Sequence, residues 1–244
     1  MFASSWVAPR AVPRHDEDRR VSAPLRVVSW NVRSLRDDAA GVAAFLTSLD
    51  PDVAVLQEAP RLLGSRRANR RLARRTTLVR AAGGATAAGN LLLVSSRLRV
   101  VEAHAVKLPR RRGLHRRGAV LGVVERDGAR LAVTGTHLDL LPEARLASAE
   151  RIRGALPDRY PLVIGADVND EPGSPAWEAL ARGLVDAAAS CGPTFSLREP
   201  RRRIDAVLVD PRLTVAAVSV PRPGPVTDHL PVVVDLAWPP VSSS

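Results

Sequence analysis

The sequence predicts an α+β protein, a mixed β-sandwich flanked by helices, and two observations predict it. Apolar strand-like runs outnumber helical ones, and they come both as hairpins and as β-α-β units. No Pro/Gly/Ser-rich linker and no internal repeat divides the middle of the 244 residues, which favours one domain. Hydrophobic residues at 45% supply a core, and aromatics at 3% leave it to be built mostly from Val, Leu and Ala.

Taken in order, residues 1–23 are rich in Pro, Arg and acids without periodicity and read as a flexible leader. Leu25 to Val28 is β-favouring and leads to Trp30 and Asn31. Asp37 and Asp38 then precede a helix over Ala39 to Leu49, placing acids at its positive end. Pro51 stops it, and Asp52 to Leu56 is the next strand, completing a β-α-β opening. Arg61 to Arg75 reads as a basic helix or a long loop. Asn90 to Ser95 and Leu98 to Leu108 are strands. Gly118 to Glu125 and Arg130 to Thr136 form a hairpin around Asp127-Gly128, a pair that favours tight turns. A helix over Glu143 to Leu156 follows Pro142, Leu162 to Ala166 is a buried strand, and Pro175 to Ala181 is a short helix. Ile204 to Val209, Leu213 to Val220 and Val232 to Leu236 finish as strands, so the domain is expected over 24–238 with a loose tail at 239–244.

Composition excludes several classes. Cys191 is the single cysteine, so neither an intramolecular disulfide nor a cysteine-based metal site is available. No run of 18 apolar residues predicts a membrane span. Arg10, Arg14, Asp16, Glu17 and Asp18 stand where a secretory signal needs an apolar core, so a cytoplasmic monomer is the expectation. The net charge of +11 points to an anionic partner, nucleic acid among them. Lys107 is the only lysine, however, and an arginine-rich coding bias accounts for the charge equally well.

The chemistry lies in six polar signatures, each at the edge of an apolar run. They are Ser29-Trp30-Asn31, Leu56-Gln57-Glu58, Thr136-His137-Leu138-Asp139, Gly165-Ala166-Asp167-Val168-Asn169, Arg203-Ile204-Asp205 and Thr227-Asp228-His229-Leu230-Pro231. Together they supply the carboxylates, amides and histidines that metal-assisted phosphate hydrolysis needs. Asn31 and Glu58 follow parallel strands, whose C-terminal ends share one sheet edge, and offer the oxygen ligands that Mg²⁺ prefers. Asp167 and Asn169, two residues apart, would share one face of an extended segment, able to hold a water and donate to a phosphate oxygen. His229 is the natural acid/base, and Asp205 the best carboxylate to orient it. Each motif alone also has a plain reading: a turn-opening Asn31, a solvated Glu58, an Asx turn at Asp167, or a structural His137. His15, His104 and His115 are given no role.

As an ordered set, the six signatures resemble those of the endonuclease/exonuclease/phosphatase superfamily, the DNase I-like metal-dependent phosphohydrolases, from about Leu25 to Leu236. Gly89-Asn90-Leu91-Leu92 and Pro193-Thr194-Phe195 also resemble family positions. The resemblance implies a four-layer α/β/β/α sandwich of two mixed sheets, and Mg²⁺ or Mn²⁺ as cofactor. It implies metal binding by Asn31, Glu58 and, through water, Asp228. Asp167 and Asn169 would handle the nucleophilic water and the transition state, Asp205 would orient His229, and His137 would contact a phosphate oxygen. Histidine at 137 also argues against the abasic-site endonuclease branch. Asp139 fits a Thr-His-Leu-Asp variant without an assigned role.

The expected function is phosphodiester hydrolysis, with a phospholipid or inositol-phosphate hydrolase as the alternative and an inactive binding protein as a third reading. Arg66-Arg67, Arg70-Arg71 and Arg74-Arg75 are spaced to stripe one helix face. With Arg110 to Arg112, Arg116-Arg117 and Arg201 to Arg203, they could track a nucleic-acid backbone or an anionic head group, or be a solvated face. Few aromatics are available for base stacking.

Overall fold

In the computed structural model, residues 23–108 and 112–238 are described. Residues 1–22 of the proposed leader, the tail, Arg110 and Arg111 lie outside the described residues. The strands form two six-stranded sheets. In the first, β1 (Leu25–Asn31) and β2 (Val53–Gln57) run parallel, joined through helix α1 (Ala39–Leu49). β4 (Leu91–Ser95) with edge strand β3 (Leu78–Gly83) extends it on one side; β12 (Val232–Leu236) and β11 (Val215–Ser219) extend it on the other. Helix α2 (Ser65–Arg75) connects β2 to β3.

The second sheet is ordered β5 (Arg99–Lys107), β6 (Gly118–Arg126), β7 (Ala129–His137), β8 (Leu162–Asp167), β10 (Asp205–Val209) and β9 (Val185–Asp186). The β6–β7 hairpin turns at Asp127 and Gly128, both at positive φ (51° and 78°), as a two-residue loop of this kind requires. Helix α3 (Pro142–Arg153) crosses from β7 to its parallel neighbour β8, and α4 (Pro175–Ala181) follows.

Three apolar layers hold four structural layers together. Val27, Val55, Leu92, Val120, Val133, Val163 and Val207 fill the space between the sheets. Val28, Trp30, Leu46, Leu56 and Leu72 pack the first sheet against α1 and α2, and Ile152, Ile164, Trp177, Leu180 and Leu208 pack the second against α3 and α4. The expected α/β/β/α sandwich is therefore the fold. The sheets pack tightly at Gly135, where a Cβ would stand 2.3 Å from Val55 Cγ1.

Candidate active site

The topology brings the six signatures to one edge. β1, β2, β7 and β8 end there, while β10 and β12, antiparallel to β8 and β1, begin there. In the ladder His137 pairs with Asp167, and Asp167 with Asp205, so three functional groups stand on adjacent strands. Across the gap between the sheets, Asn31 Nδ2 donates to Asp167 Oδ2 at 2.8 Å; within the first sheet's edge, Trp30 Nε1 donates to the His229 carbonyl at 3.0 Å. Thr227 Oγ1 donates to the Asn31 carbonyl at 2.9 Å and fixes the loop that carries Asp228 and His229.

A cavity of about 450 Å³ opens here, lined by Asn31, Glu58, His137, Asp167, Asn169, Asp228 and His229 among others. Asp205 stands behind it, fully buried, with its carboxylate oxygens 2.9 and 3.2 Å from His229 Nδ1. Glu58 and Asn169 hold positive φ angles of 50° and 57°. Such backbone strain gathers at functional sites. The turn changes how Asp167 and Asn169 meet: β8 ends at Asp167, so strand alternation does not align the pair. Instead the Asn169 backbone N–H folds back onto Asp167 Oδ1 at 3.1 Å.

Both histidines approach Asp167 Oδ2, His137 Nε2 at 3.4 Å and His229 Nε2 at 3.8 Å. They differ in charge. Burial pushes His137 down to about 4, and the nearby Arg117 adds to the effect. Its Nε2 accepts from Asn169 Nδ2 at 2.8 Å when the ring is neutral, and the same amide donates to the Leu138 carbonyl at 3.0 Å. Burial also acts to lower His229, but Asp205, Asp167 and Asp228 together raise it to about 10. Burial raises Asp205. It acts the same way on Asp167, where the two histidines and the Asn31 and Asn169 donors more than offset it and lower the carboxyl. At neutral pH the site therefore holds an ionised Asp167 between a neutral and a protonated imidazole.

The donor set fits a hard cation, which seeks oxygen. The Glu58 and Asp228 carboxylates are about one-third exposed, at 35% and 34%, and face the cavity with Asn31. Arg33 Nε pairs with Asp228 Oδ2 at 3.2 Å, and the Arg33 backbone N–H occupies one lone pair of Asn31 Oδ1 at 3.0 Å. A second group, Asp167, Asp205 and His229, has ligand atoms within 4.8 Å of one another and could also hold a metal. There, however, the Asp205 carboxylate and His229 Nδ1 are engaged with each other.

Several contributors escaped the sequence. Thr194 Oγ1 accepts from the backbone N–H of Ile204 and Asp205 at 3.2 and 3.3 Å, anchoring the start of β10. Phe195 lies against the His229 ring with centroids 4.7 Å apart. Their Pro193-Thr194-Phe195 stretch was the one available signal. Asp139 Oδ1 accepts from the Leu140 N–H at 2.7 Å. Arg145 ties the Asp139 and Asn169 carbonyls together at 3.2 and 2.9 Å.

The basic residues divide differently from the single stripe expected. Helix α2 buries Asn69, Leu72 and Ala73, and its arginines flank that face as two rows. Arg67, Arg71 and Arg75 line a groove with Ser34 and Leu35, whereas Arg66 and Arg70 line another with Arg80. Arg203 is held by Asp186 at 2.8 Å, Arg201 pairs with Glu199, and Arg202 borders the cavity.

A sequence profile described as the Endonuclease/Exonuclease/phosphatase family matches residues 28–229. No curated protein sequence matches the chain. Among solved structures, a Bacteroides thetaiotaomicron mannosyl-6-phosphatase is similar with a TM-score of 0.74 at 16% identity, over 88% of this chain and 100% of that one. D. rerio TDP2 complexed with a single-strand DNA product aligns with a TM-score of 0.71 at 17% identity, covering 88% and 99%. An endonuclease/exonuclease/phosphatase from Beutenbergia cavernae aligns with a TM-score of 0.71 at 24% identity, covering 91% and 74%.

Proposed function

Because the chain belongs to the endonuclease/exonuclease/phosphatase family, a family of hydrolytic phosphoesterases, we propose that it is a divalent-metal-dependent phosphodiesterase. One observation carries this reading: an ionised Asp167 lies close to two histidines, one neutral and one protonated, in a cavity that also holds Glu58, Asn31 and Asp228. Glu58 and Asn31, with Asp228 acting through water, would hold Mg²⁺ or Mn²⁺. When bound, the cation supplies charge neutralisation at a phosphate oxygen and at the leaving group.

The protein's own groups supply the rest. Asp167 is the carboxylate best placed to take the proton of the attacking water, because it is ionised and lines the cavity. His229 enters with its proton, held at Nδ1 by Asp205, and offers Nε2–H to the phosphate. Neutral His137, with Nε2 engaged by Asn169, is left with Nδ1–H to donate, and Nδ1 lies 3.9 Å from Glu58. Asn169 thus sets the tautomer that contacts the pentacovalent transition state.

The test is turnover of bis-p-nitrophenyl phosphate by the purified chain with Mg²⁺, with Mn²⁺ and with EDTA. Hydrolysis that needs either metal is expected, and no turnover with both metals would overturn the proposal. A second reading, phospholipid head-group hydrolysis, is favoured by Leu140, 65% exposed at the cavity rim, and by exposed Leu62 and Leu63. Plasmid DNA, RNA, sphingomyelin vesicles and inositol phosphates assayed in parallel separate the two.

A further inference from the structure

The cavity has a neighbour. A groove of about 820 Å³ adjoins it and shares Arg61, Ala88 and Arg117 as a common wall. This volume falls within the ~300–1,000 Å³ of small-molecule sites. Among the described residues its basic lining is Arg61, Lys107, Arg116 and Arg117, and no Asp or Glu lines it. Leu62, Leu108 and Ala85 give it an apolar side.

The shared wall is fixed rather than solvated. Arg61 Nη1 donates to the Ala88 and Arg116 carbonyls at 3.2 and 3.3 Å, which ties the loop after β2 to the start of β6. Arg117 is the sharper case, with its side chain only 11% exposed. Its nearest carboxylate oxygen, Asp139 Oδ2, stands 3.6 Å from Nε, and Nε makes no hydrogen bond. Burial outweighs the pull of Asp139 and Asp167 and holds this guanidinium below its ordinary range. A buried cation whose carboxylate partner stands beyond hydrogen-bond reach gains from an anion that completes it. Among the described residues, neither Lys107 nor Arg116 forms a side-chain ion pair that would consume its charge, and both are exposed.

We infer that this groove is a subsite for a second phosphate group of the substrate, carried on the same molecule as the scissile phosphate. Arg61 and Arg117 span the two chambers, Lys107 and Arg116 face the second anion, and Leu62 and Leu108 cover the organic part between the phosphates. The inference rests on the phosphodiesterase reading and narrows its substrates to molecules bearing two or more phosphates, whether a nucleotide chain or a phosphorylated polyol.

Calorimetric titration in Mg²⁺ with thymidine 3′,5′-bisphosphate and thymidine 5′-phosphate tests it, alongside myo-inositol 1,4-bisphosphate and inositol 1-phosphate. Wild-type protein should bind the bisphosphate of at least one pair about tenfold more tightly, the scale of one charge-assisted contact. The pair that shows the preference identifies the organic part. A Lys107→Ala/Arg116→Ala double variant, altered only at exposed side chains, should lose that preference. Equal affinities within both pairs, or a preference that survives in the double variant, would overturn the subsite. Turnover of bis-p-nitrophenyl phosphate by the same preparation reports separately on the phosphodiesterase reading.

Discussion

Asp205 grips His229 through Nδ1 with both carboxylate oxygens, at 2.9 and 3.2 Å, and both side chains are buried. This fixes a proton on Nδ1 and aims Nε2 into the cavity. If the two work as one unit, His229→Ala should lower kcat by ~10²–10⁴, Asp205→Asn by less, and the double variant little more than His229→Ala. Loss of the Asp205 charge should leave burial to dominate, so the His229 ring should titrate well below about 10. Imidazole NMR across pH reads that shift. Multiplicative kcat losses, or an unmoved titration, would dissolve the pair.

Glu58 carries a different burden. Its carboxylate is one-third exposed and approaches His137 no closer than 3.9 Å, so the fold does not depend on it. Glu58→Gln should weaken Mg²⁺ binding by ~10–100-fold or more, at least the scale of losing an outer-shell partner, and remove activity while the melting temperature holds. Calorimetry with Mg²⁺ and thermal melting check both halves. Unaltered Mg²⁺ affinity would move the cation elsewhere, with Asp167, Asp205 and His229 the next group to test.

His137 ties stability to pH. Folded, it resists a proton down to about 4, whereas its ordinary value is 6.5. Between those values the unfolded chain binds the proton more readily, so stability is intact above about 6.5 and falls as pH drops toward 4. At 1.36 kcal/mol per unit this is ~3 kcal/mol. His229 acts in the opposite sense: its contribution is full below 6.5 and is lost as pH rises through about 10. Melting curves from pH 4 to 8 should show a flatter acid limb for His137→Asn than for wild type. Superimposable limbs would mean that His137 is not held neutral.

Sheet contact can be tested apart from chemistry. Gly135→Ala would place a Cβ 2.3 Å from Val55 Cγ1 and 2.9 Å from Val120 Cγ2, in a layer with no slack. Overpacking of this kind costs ~1–3 kcal/mol. Gly192→Ala meets nothing within 4 Å and serves as the control, expected within ~0.5 kcal/mol of wild type. Urea unfolding of both reads the difference, and equal midpoints would show that the sheets can part at Gly135 without cost.

The sequence by itself determined the architecture and the site's inventory. Runs such as Leu162-Val163-Ile164 state where a strand lies, and the polar residues after them state where it leaves the core. Helices Ala39–Leu49 and Pro175–Ala181 were legible to the residue, because Asp38 and Ser174 cap them locally. Edge strand β3, Leu78–Gly83, was not legible: its burial does not alternate along the strand, with Val79 and Arg80 both exposed, and its pairing with β4 defines it.

Only the tertiary structure decided the state of each group. The Trp30–His229 and Asn31–Asp167 hydrogen bonds join residues 199 and 136 positions apart, beyond any local pattern. Burial and nearby charge, which separate His137 from His229 and set Arg117 apart, arise from what the opposite sheet and neighbouring loops bring near. Hydrophobic periodicity records a residue's neighbours along the chain. Protonation and counter-charge depend on its neighbours in space, and those exist only once the two sheets have packed.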